Sequence, residues 1–282
     1  MMTNFNAMLK EAYEKRCAVG SFNVYNYETM RGVVEAAKRT GSKRIIVAFG
    51  EKYLENMRLE EAAAMASAMS GEGVDVCLHL DHCKDMNVIY AAVKAGFGSV
   101  MYDGSALPFG ENLANTRRVC TVAHACGVSV EAELGSLAAG IESHEGEETD
   151  VMKYTDPASA AEFVKKTGVD ALAVSVGTVH GLYKGEPNIR TDILEKINAA
   201  CGIPLVLHGG SGIPEEKIRA CIERGIAKIN VNTEISSYTV KKTLEELSGA
   251  QKKPHLSVLA IKQQGWVSEI VEKYIRFFAN KA

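Results

Sequence analysis

The chain is poor in the features that staple, target or embed a protein. It has seven cysteines, an odd and scattered set running from Cys17 to Cys221 without a CxxC pair. That excludes a disulfide framework and fits a reducing, cytoplasmic setting. Its six prolines mark no Pro/Ser-rich linker, so no domain boundary stands out. No apolar run approaches the roughly 18 residues a membrane helix needs. The opening MMTNFNAMLK lacks the apolar core of a signal peptide. Charge of one sign is missing too: Lys+Arg 32 against Asp+Glu 35 leaves −3. A nucleic-acid-coating surface or a polybasic membrane binder would need a basic excess. What remains is 46% hydrophobic and 24% charged, too apolar for disorder.

Against these absences stands a regular alternation. Short apolar runs at 18–24, 44–50, 76–81, 99–103, 129–135, 171–177, 204–209 and 228–233 read as strands. Helical periodicity fills the intervals, from 27–40 through to 234–247. Gly41, Gly71, Gly96, Gly127, Gly168, Gly202 and Gly225 follow helices, where a left-handed cap residue is wanted. Pro157 and Pro214 open two of them. Eight strand–helix units predict an α/β protein, a parallel sheet closed into a single (β/α)8 TIM barrel. The barrel would span about 18–247 of a single domain, 1–282, and 248–282 would form a C-terminal helical extension with a helix near 267–278. A doubly wound open sheet shares the alternation. Its dinucleotide-binding form wants GxGxxG after the first strand, and Val24-Tyr25-Asn26-Tyr27 is nothing like it.

Alternate strand residues face opposite sides. One side of each strand is apolar, whereas Cys77, His79 and Asp81, then Ser129, Glu131 and Glu133, then Lys228, Asn230 and Asn232 share the other. A barrel interior filled only for packing would be dominated by Val, Ile and Leu, and the C-terminal mouth is where barrel enzymes keep their chemistry. His82, His180 and His208 fall at three different strand ends, among only seven histidines. A lone histidine there is more often an ordinary hydrogen-bonding residue. Three can converge as the ligands of a catalytic zinc, leaving an open position. Asp103, Glu133 and His79 could orient those imidazoles by hydrogen bonding to them. His124, His144 and His255 read as surface residues.

Two loops add to this. His208-Gly209-Gly210-Ser211-Gly212 follows the seventh strand, and Asn230-Val231-Asn232-Thr233 leads from the eighth into a helix. Loops there, with a helix N-terminus, form the usual phosphate pocket of such barrels, although glycines also simply make turns. The segment from Ser136 to Tyr154 carries Glu142, Glu145, Glu147, Glu148 and Asp150. It reads as a solvated loop or as a lid bringing one carboxylate over a substrate.

Six blocks together, Leu78-His79-Leu80-Asp81-His82, Tyr102-Asp103-Gly104-Ser105, Val130 to Gly135, Gly177 to Gly181, Leu207 to Gly212 and Lys228 to Thr233, resemble the class II ketose-bisphosphate aldolases. The resemblance runs in order from about Gly20 to Ser236. It implies a metal-dependent lyase that cleaves fructose or tagatose 1,6-bisphosphate into dihydroxyacetone phosphate and glyceraldehyde 3-phosphate. By that resemblance His82, His180 and His208 hold Zn2+, Asp81 is the acid/base at the C4 hydroxyl, and Asp103 and Glu133 hold metal in alternative positions. Asn23, Gly181, Gly209, Gly210, Ser211, Asn230, Val231, Asn232 and Thr233 would bind dihydroxyacetone phosphate, with a monovalent cation (Na+ or K+) nearby. The family also implies a homo-oligomer, a dimer or tetramer. Another ketose 1-phosphate, or a phosphosugar epimerase or isomerase reaction, would suit the same barrel.

Cleavage between C3 and C4 leaves an enediolate, which a Lewis acid stabilises. The other aldolase solution is a Schiff-base lysine. Lys228 at the start of its strand and Lys184 in a loop are poorly placed for it, so the metal route is expected. Two departures stand out. The family's lid has two glycines followed closely by Glu-Asp, whereas Ala138-Ala139-Gly140-Ile141-Glu142 carries one extra residue, making Glu142 the expected lid carboxylate. The tail after Ser248 does not match, and Arg276 is the candidate there for the distal phosphate.

Overall fold

The chain enters through a helix that lies ahead of the eight expected strand–helix units, α1 (Phe5–Glu14). Its buried residues Phe5, Met8, Leu9 and Ala12 follow one helical face. From there the computed structural model, which describes residues 5–71, 73–145, 152–249 and 252–279, runs through β1 (Val19–Asn23), α2 (Tyr27–Thr40), β2 (Arg44–Gly50), α3 (Leu59–Met69), β3 (Asp75–Cys83) and α4 (Met86–Ala95). Next come β4 (Ser99–Tyr102), α5 (Phe109–Ala125), β5 (Ser129–Leu134), the short β6 (Ala138–Ala139), α6 (Pro157–Thr167), β7 (Ala171–Val174) and the short β8 (Val179–His180). The chain closes with α7 (Thr191–Cys201), β9 (Leu205–Leu207), α8 (Glu215–Ile222), β10 (Ile226–Val231), α9 (Thr233–Gly249) and α10 (Leu256–Phe278).

Eight of these strands close into a parallel barrel in the order β1-β10-β9-β7-β5-β4-β3-β2, and β6 pairs with β8 outside it. This is the expected TIM barrel with a C-terminal helix. All seven glycines expected as caps have positive φ, from 64° at Gly202 to 102° at Gly225. The Asp156 side chain accepts from Ser159 N–H, capping α6 ahead of Pro157.

The last barrel strand starts two residues before the expected run, at Ile226, so Lys228 lies mid-strand rather than at the start. The final helix is also longer than 267–278. It begins at Leu256, capped by the His255 side chain accepting from Ser257 N–H. Its first turns expose Leu256, Val258 and Ile261, so no buried stripe marks them in the sequence.

Two cores result. The larger lies between barrel and helices, where Val47, Phe49, Leu78, Leu80 and Val130 face outward. The smaller fills the bottom of the barrel, where Phe5, Met8 and Leu9 of α1 meet Ile46, Cys77, Ala171, Ala173 and Val206. Above that plug the interior turns polar.

Candidate active site

The polar layer begins at His79, whose ring stacks on Phe5 with centroids 5.3 Å apart. Its Nδ1 pairs with Ser99 Oγ at 2.7 Å. Burial, with the charge on Lys228, pushes its pKa down to about 3, so the ring is neutral. Lys228 is fully buried, its Nζ 2.8 Å from Glu131 Oε2. Burial raises the Glu131 pKa, but the Lys228 ammonium and the His208 hydrogen bond overcome it and hold the value at about 2. A lysine paired this way offers no free amine to a carbonyl.

Strict alternation would send Asp81 and His82 to opposite faces. A register shift in β3 between Leu80 and Cys83, with His82 at φ 46°, turns both toward the mouth. Positive φ is costly for a residue with a side chain, and such strain gathers at functional sites. Asp81 is fully buried and accepts from Asn23 Nδ2 at 3.1 Å and from Asn230 Nδ2 at 3.1 and 3.3 Å. Burial opposes its ionisation, but the charges at His82 and Lys228 hold its carboxyl well below the usual range.

The three strand-end histidines converge. His208 Nδ1 lies 2.8 Å from His82 Nε2, and the rings of His82 and His180 are 4.9 Å apart. One nitrogen from each of the three lies within 4.8 Å of the others. The same holds for a ligand atom from each of His82, Asp103 and Glu133. His82 Nδ1 pairs with Asp103 Oδ2 at 3.2 Å, and His208 Nε2 with Glu131 Oε1 at 2.9 Å. His180 Nε2 is buried without a hydrogen-bond partner. An orphaned buried imidazole nitrogen is costly unless something coordinates it. Three converging nitrogens, one of them orphaned, fit a divalent metal with an imidazole preference, the donor set of zinc. Burial and the charge of Asp103 raise the Glu133 pKa to about 8.

The glycine loop lies beside the trio. Gly209 has φ 67°, and a Cβ there would stand 2.0 Å from Val179 O, so only glycine fits. Gly210 donates to Asn230 O at 2.9 Å, and Ser211 Oγ accepts from Glu234 N–H at the start of α9. Gly212 N–H reaches Tyr274 Oη of α10 at 2.9 Å, so the C-terminal helix props this loop. Val231 is buried in the outer core, and Thr233 opens α9. Gly181, at φ 107°, backs onto the loop at Ile141.

The mouth opens into a small inner pocket, lined among others by Asp81, His82, Glu133, Glu145 and His180, and an outer cavity of about 1430 Å³. Glu145 belongs to the inner pocket. Its Oε1 accepts from Asn232 Nδ2 at 2.6 Å, and burial raises its pKa against the pull of His82. Glu142 is exposed at φ 54° and lines the outer cavity. Glu147, Glu148 and Asp150 lie outside the described residues. Arg276 lines neither space and lies 4.0 Å from Glu272. His144, exposed as expected, stacks on Tyr53 at 5.8 Å. Sequence reasoning missed Tyr25 and Tyr53, which bracket Asn232. Tyr25 donates to its Oδ1, and its Nδ2 donates to Tyr53 Oη at 3.0 Å. The only trace in the sequence was the aromatic character of the loops after the first two strands.

A model of the family described as fructose-bisphosphate aldolase class-II matches residues 3–282. The chain belongs to the class II fructose-bisphosphate aldolase family. It is therefore an aldolase of the lyase class, from a family acting on sugar phosphates. It is 42% identical over 256 residues to a probable fructose-bisphosphate aldolase of Bacillus subtilis (strain 168), covering 88% of this chain and 87% of that one. It is 36% identical over 276 residues to a sulfofructosephosphate aldolase of Alkalicoccus urumqiensis, covering 97% and 95%. Among solved structures, the YdjI aldolase from Escherichia coli K12 superposes with a TM-score of 0.85 at 32% identity, covering 99% of this chain and 98% of that one. No helix among the described residues is long and apolar enough to cross a membrane.

Proposed function

We propose that the protein is a zinc-dependent, cytoplasmic aldolase. It would reversibly cleave a ketose 1,6-bisphosphate, fructose or tagatose, to dihydroxyacetone phosphate and glyceraldehyde 3-phosphate. The convergence of His82, His180 and His208 beside the buried Asp81 carries this reading. His82, His180 and His208 would hold zinc, which would supply Lewis-acid polarisation of the ketose carbonyl. Asp81, kept ionised and aimed by Asn23 and Asn230, takes the C4 hydroxyl proton in cleavage and returns it in condensation. Glu145, which lines the inner pocket with Asp81 and His82 and whose raised pKa favours the protonated form, would deliver a proton to the carbanionic carbon left behind. Gly181, Gly209, Gly210, Ser211, Asn230 and Thr233 form the cradle for the 1-phosphate, its negative charge met by backbone N–H groups and the N-terminus of α9. A monovalent cation beside that phosphate, and a dimer or tetramer, complete the reading.

A second reading changes only the distal half of the substrate. The sulfofructosephosphate aldolase match spans nearly the whole chain. The outer cavity, with Lys52 and Lys241 among its walls, has room for a differently charged aldehyde end. One assay decides. The purified protein is incubated with fructose 1,6-bisphosphate, tagatose 1,6-bisphosphate or a sulfofructose phosphate, with and without chelator, and the triose products are trapped. Chelator-sensitive release of two triose phosphates from either bisphosphate is expected. Release from the sulfonated ketose alone would establish the second reading, and no product from any of them would sink both.

A further inference from the structure

Lys228 and Glu131 are both fully buried, closed off from below by Phe5 and the rest of the α1 plug. Burying an ion pair costs several kcal/mol per charge before the partners repay it, and replacement by apolar residues is often neutral or stabilising. A layer that packing alone would fill with Val, Ile or Leu instead holds a lysine and a glutamate. The two carboxylate oxygens are divided between two partners. Oε2 lies 2.8 Å from Lys228 Nζ, and Oε1 lies 2.9 Å from His208 Nε2. A carboxylate paired with an ammonium is an acceptor only, so the His208 nitrogen facing it carries the proton. That leaves Nδ1 with its lone pair, and Nδ1 is the atom turned toward His82, 2.8 Å from its Nε2. Lys228 also keeps the carboxylate from rotating away, since its other neighbour, His79 Nε2, is 3.5 Å off.

We propose that Lys228 and Glu131 are a positioning pair that clamps the Nε2–H of His208 and so fixes it as an Nδ1 donor to the metal. The inference rests on the histidine trio being the metal site. Neither residue touches substrate; both act through the imidazole. Lys228 is thereby given a use other than Schiff-base chemistry.

The test is zinc affinity, measured by competition with a chromophoric chelator. The proteins are wild type, Glu131→Gln, Lys228→Met, the double variant and His208→Ala, with thermal unfolding recorded for each. Each single change is expected to weaken zinc about 10- to 100-fold, the usual effect of losing a group that orients a ligand. In Glu131→Gln the buried ammonium competes for the amide oxygen. In Lys228→Met the carboxylate loses its anchor. The double variant should recover most of the loss, because the amide oxygen is then free to accept from Nε2–H and no charge is left unpaired. A merely structural pair would lower the unfolding temperature and leave zinc affinity unmoved. Wild-type affinity in the folded single variants, with His208→Ala weakened, would overturn this proposal alone. Wild-type affinity in His208→Ala would overturn the metal reading as well. Should the variants fail to fold, nitrogen-15 NMR of the histidines in the zinc-loaded wild type decides. His208 should be protonated at Nε2, and coordination through Nε2 would refute the clamp.

Discussion

Asn230 holds both oxygens of Asp81, its Nδ2 lying 3.1 Å from Oδ1 and 3.3 Å from Oδ2. An amide N–H donates to an ionised carboxylate and so favours that form. Asp81→Asn removes the base while keeping the shape. It should lower kcat by about 10²- to 10⁴-fold, the usual worth of a placed acid/base. Metal analysis should still show zinc bound. Wild-type turnover would take Asp81 out of the reaction.

Glu142 and Glu145 make competing claims to the loop carboxylate. Glu145 lines the inner pocket and from there reaches Asn232, whereas Glu142 is exposed on the outer cavity. Glu145→Gln should reduce kcat at least about tenfold, below the full worth of a general acid because water can substitute in part. Glu142→Gln should stay near the wild-type rate. Steady-state kinetics on the two variants separate them, and the reverse ranking would return the role to Glu142.

Metal removal should be visible in stability as well as in activity. A ligand that binds only the folded state stabilises it by about 2.7 kcal/mol at 100 times its Kd, which for a chain of this size is roughly 5 °C in Tm. Dialysis against chelator should lower Tm by that order, and zinc should restore it. His180→Ala should abolish the zinc-dependent shift, because His180 Nε2 is the buried nitrogen without another partner. Differential scanning fluorimetry reads both.

The packing of α2 on α10 turns on Gly32. A Cβ there would lie 2.7 Å from Val267 Cβ and 2.8 Å from Gln264 O. Alanine normally favours a helix, but here the clash should win. Gly32→Ala is expected to cost about 1–3 kcal/mol by overpacking. Chemical denaturation would show it, with activity per folded molecule unchanged.

Cys126 is the one exposed cysteine of seven. Burial raises the thiol pKa of half-buried Cys17 and pushes Cys201 up to about 11, so thiolate at those sites is scarce. Near pH 8 a thiol reagent should give one fast equivalent in the native protein and seven after denaturation. Cys126→Ser should remove the fast phase.

The βα rhythm was legible because each strand is a short apolar run and each helix from α2 to α8 is followed by a glycine that turns left-handed. Convergence of His82, His180 and His208 was legible because strand ends in a barrel share one mouth. Tertiary partners hid the rest. Alternation alone could not foresee the bulge that carries His82 round beside Asp81. The start of α10 was silent because Leu256, Val258 and Ile261 have no core to face among the described residues. Lys228 was misjudged because the eighth strand begins two residues earlier than its apolar run. Whether Glu142 or Glu145 enters the site depends on how the loop turns at Gly140 to Glu142, which residue spacing does not encode.

That turn is tied down at its root. Ala138 and Ala139 pair with Val179 and His180, and Gly140 N–H donates to the His180 carbonyl at 2.5 Å. The ribbon that carries the loop glutamate and the peptide that carries the His180 imidazole, a proposed metal ligand, are thus one hydrogen-bonded strip. Movement of one pulls on the other. On the proposed function, a substrate that draws the loop inward would press on His180 in the same stroke, so substrate capture and the seat of the metal would be mechanically geared.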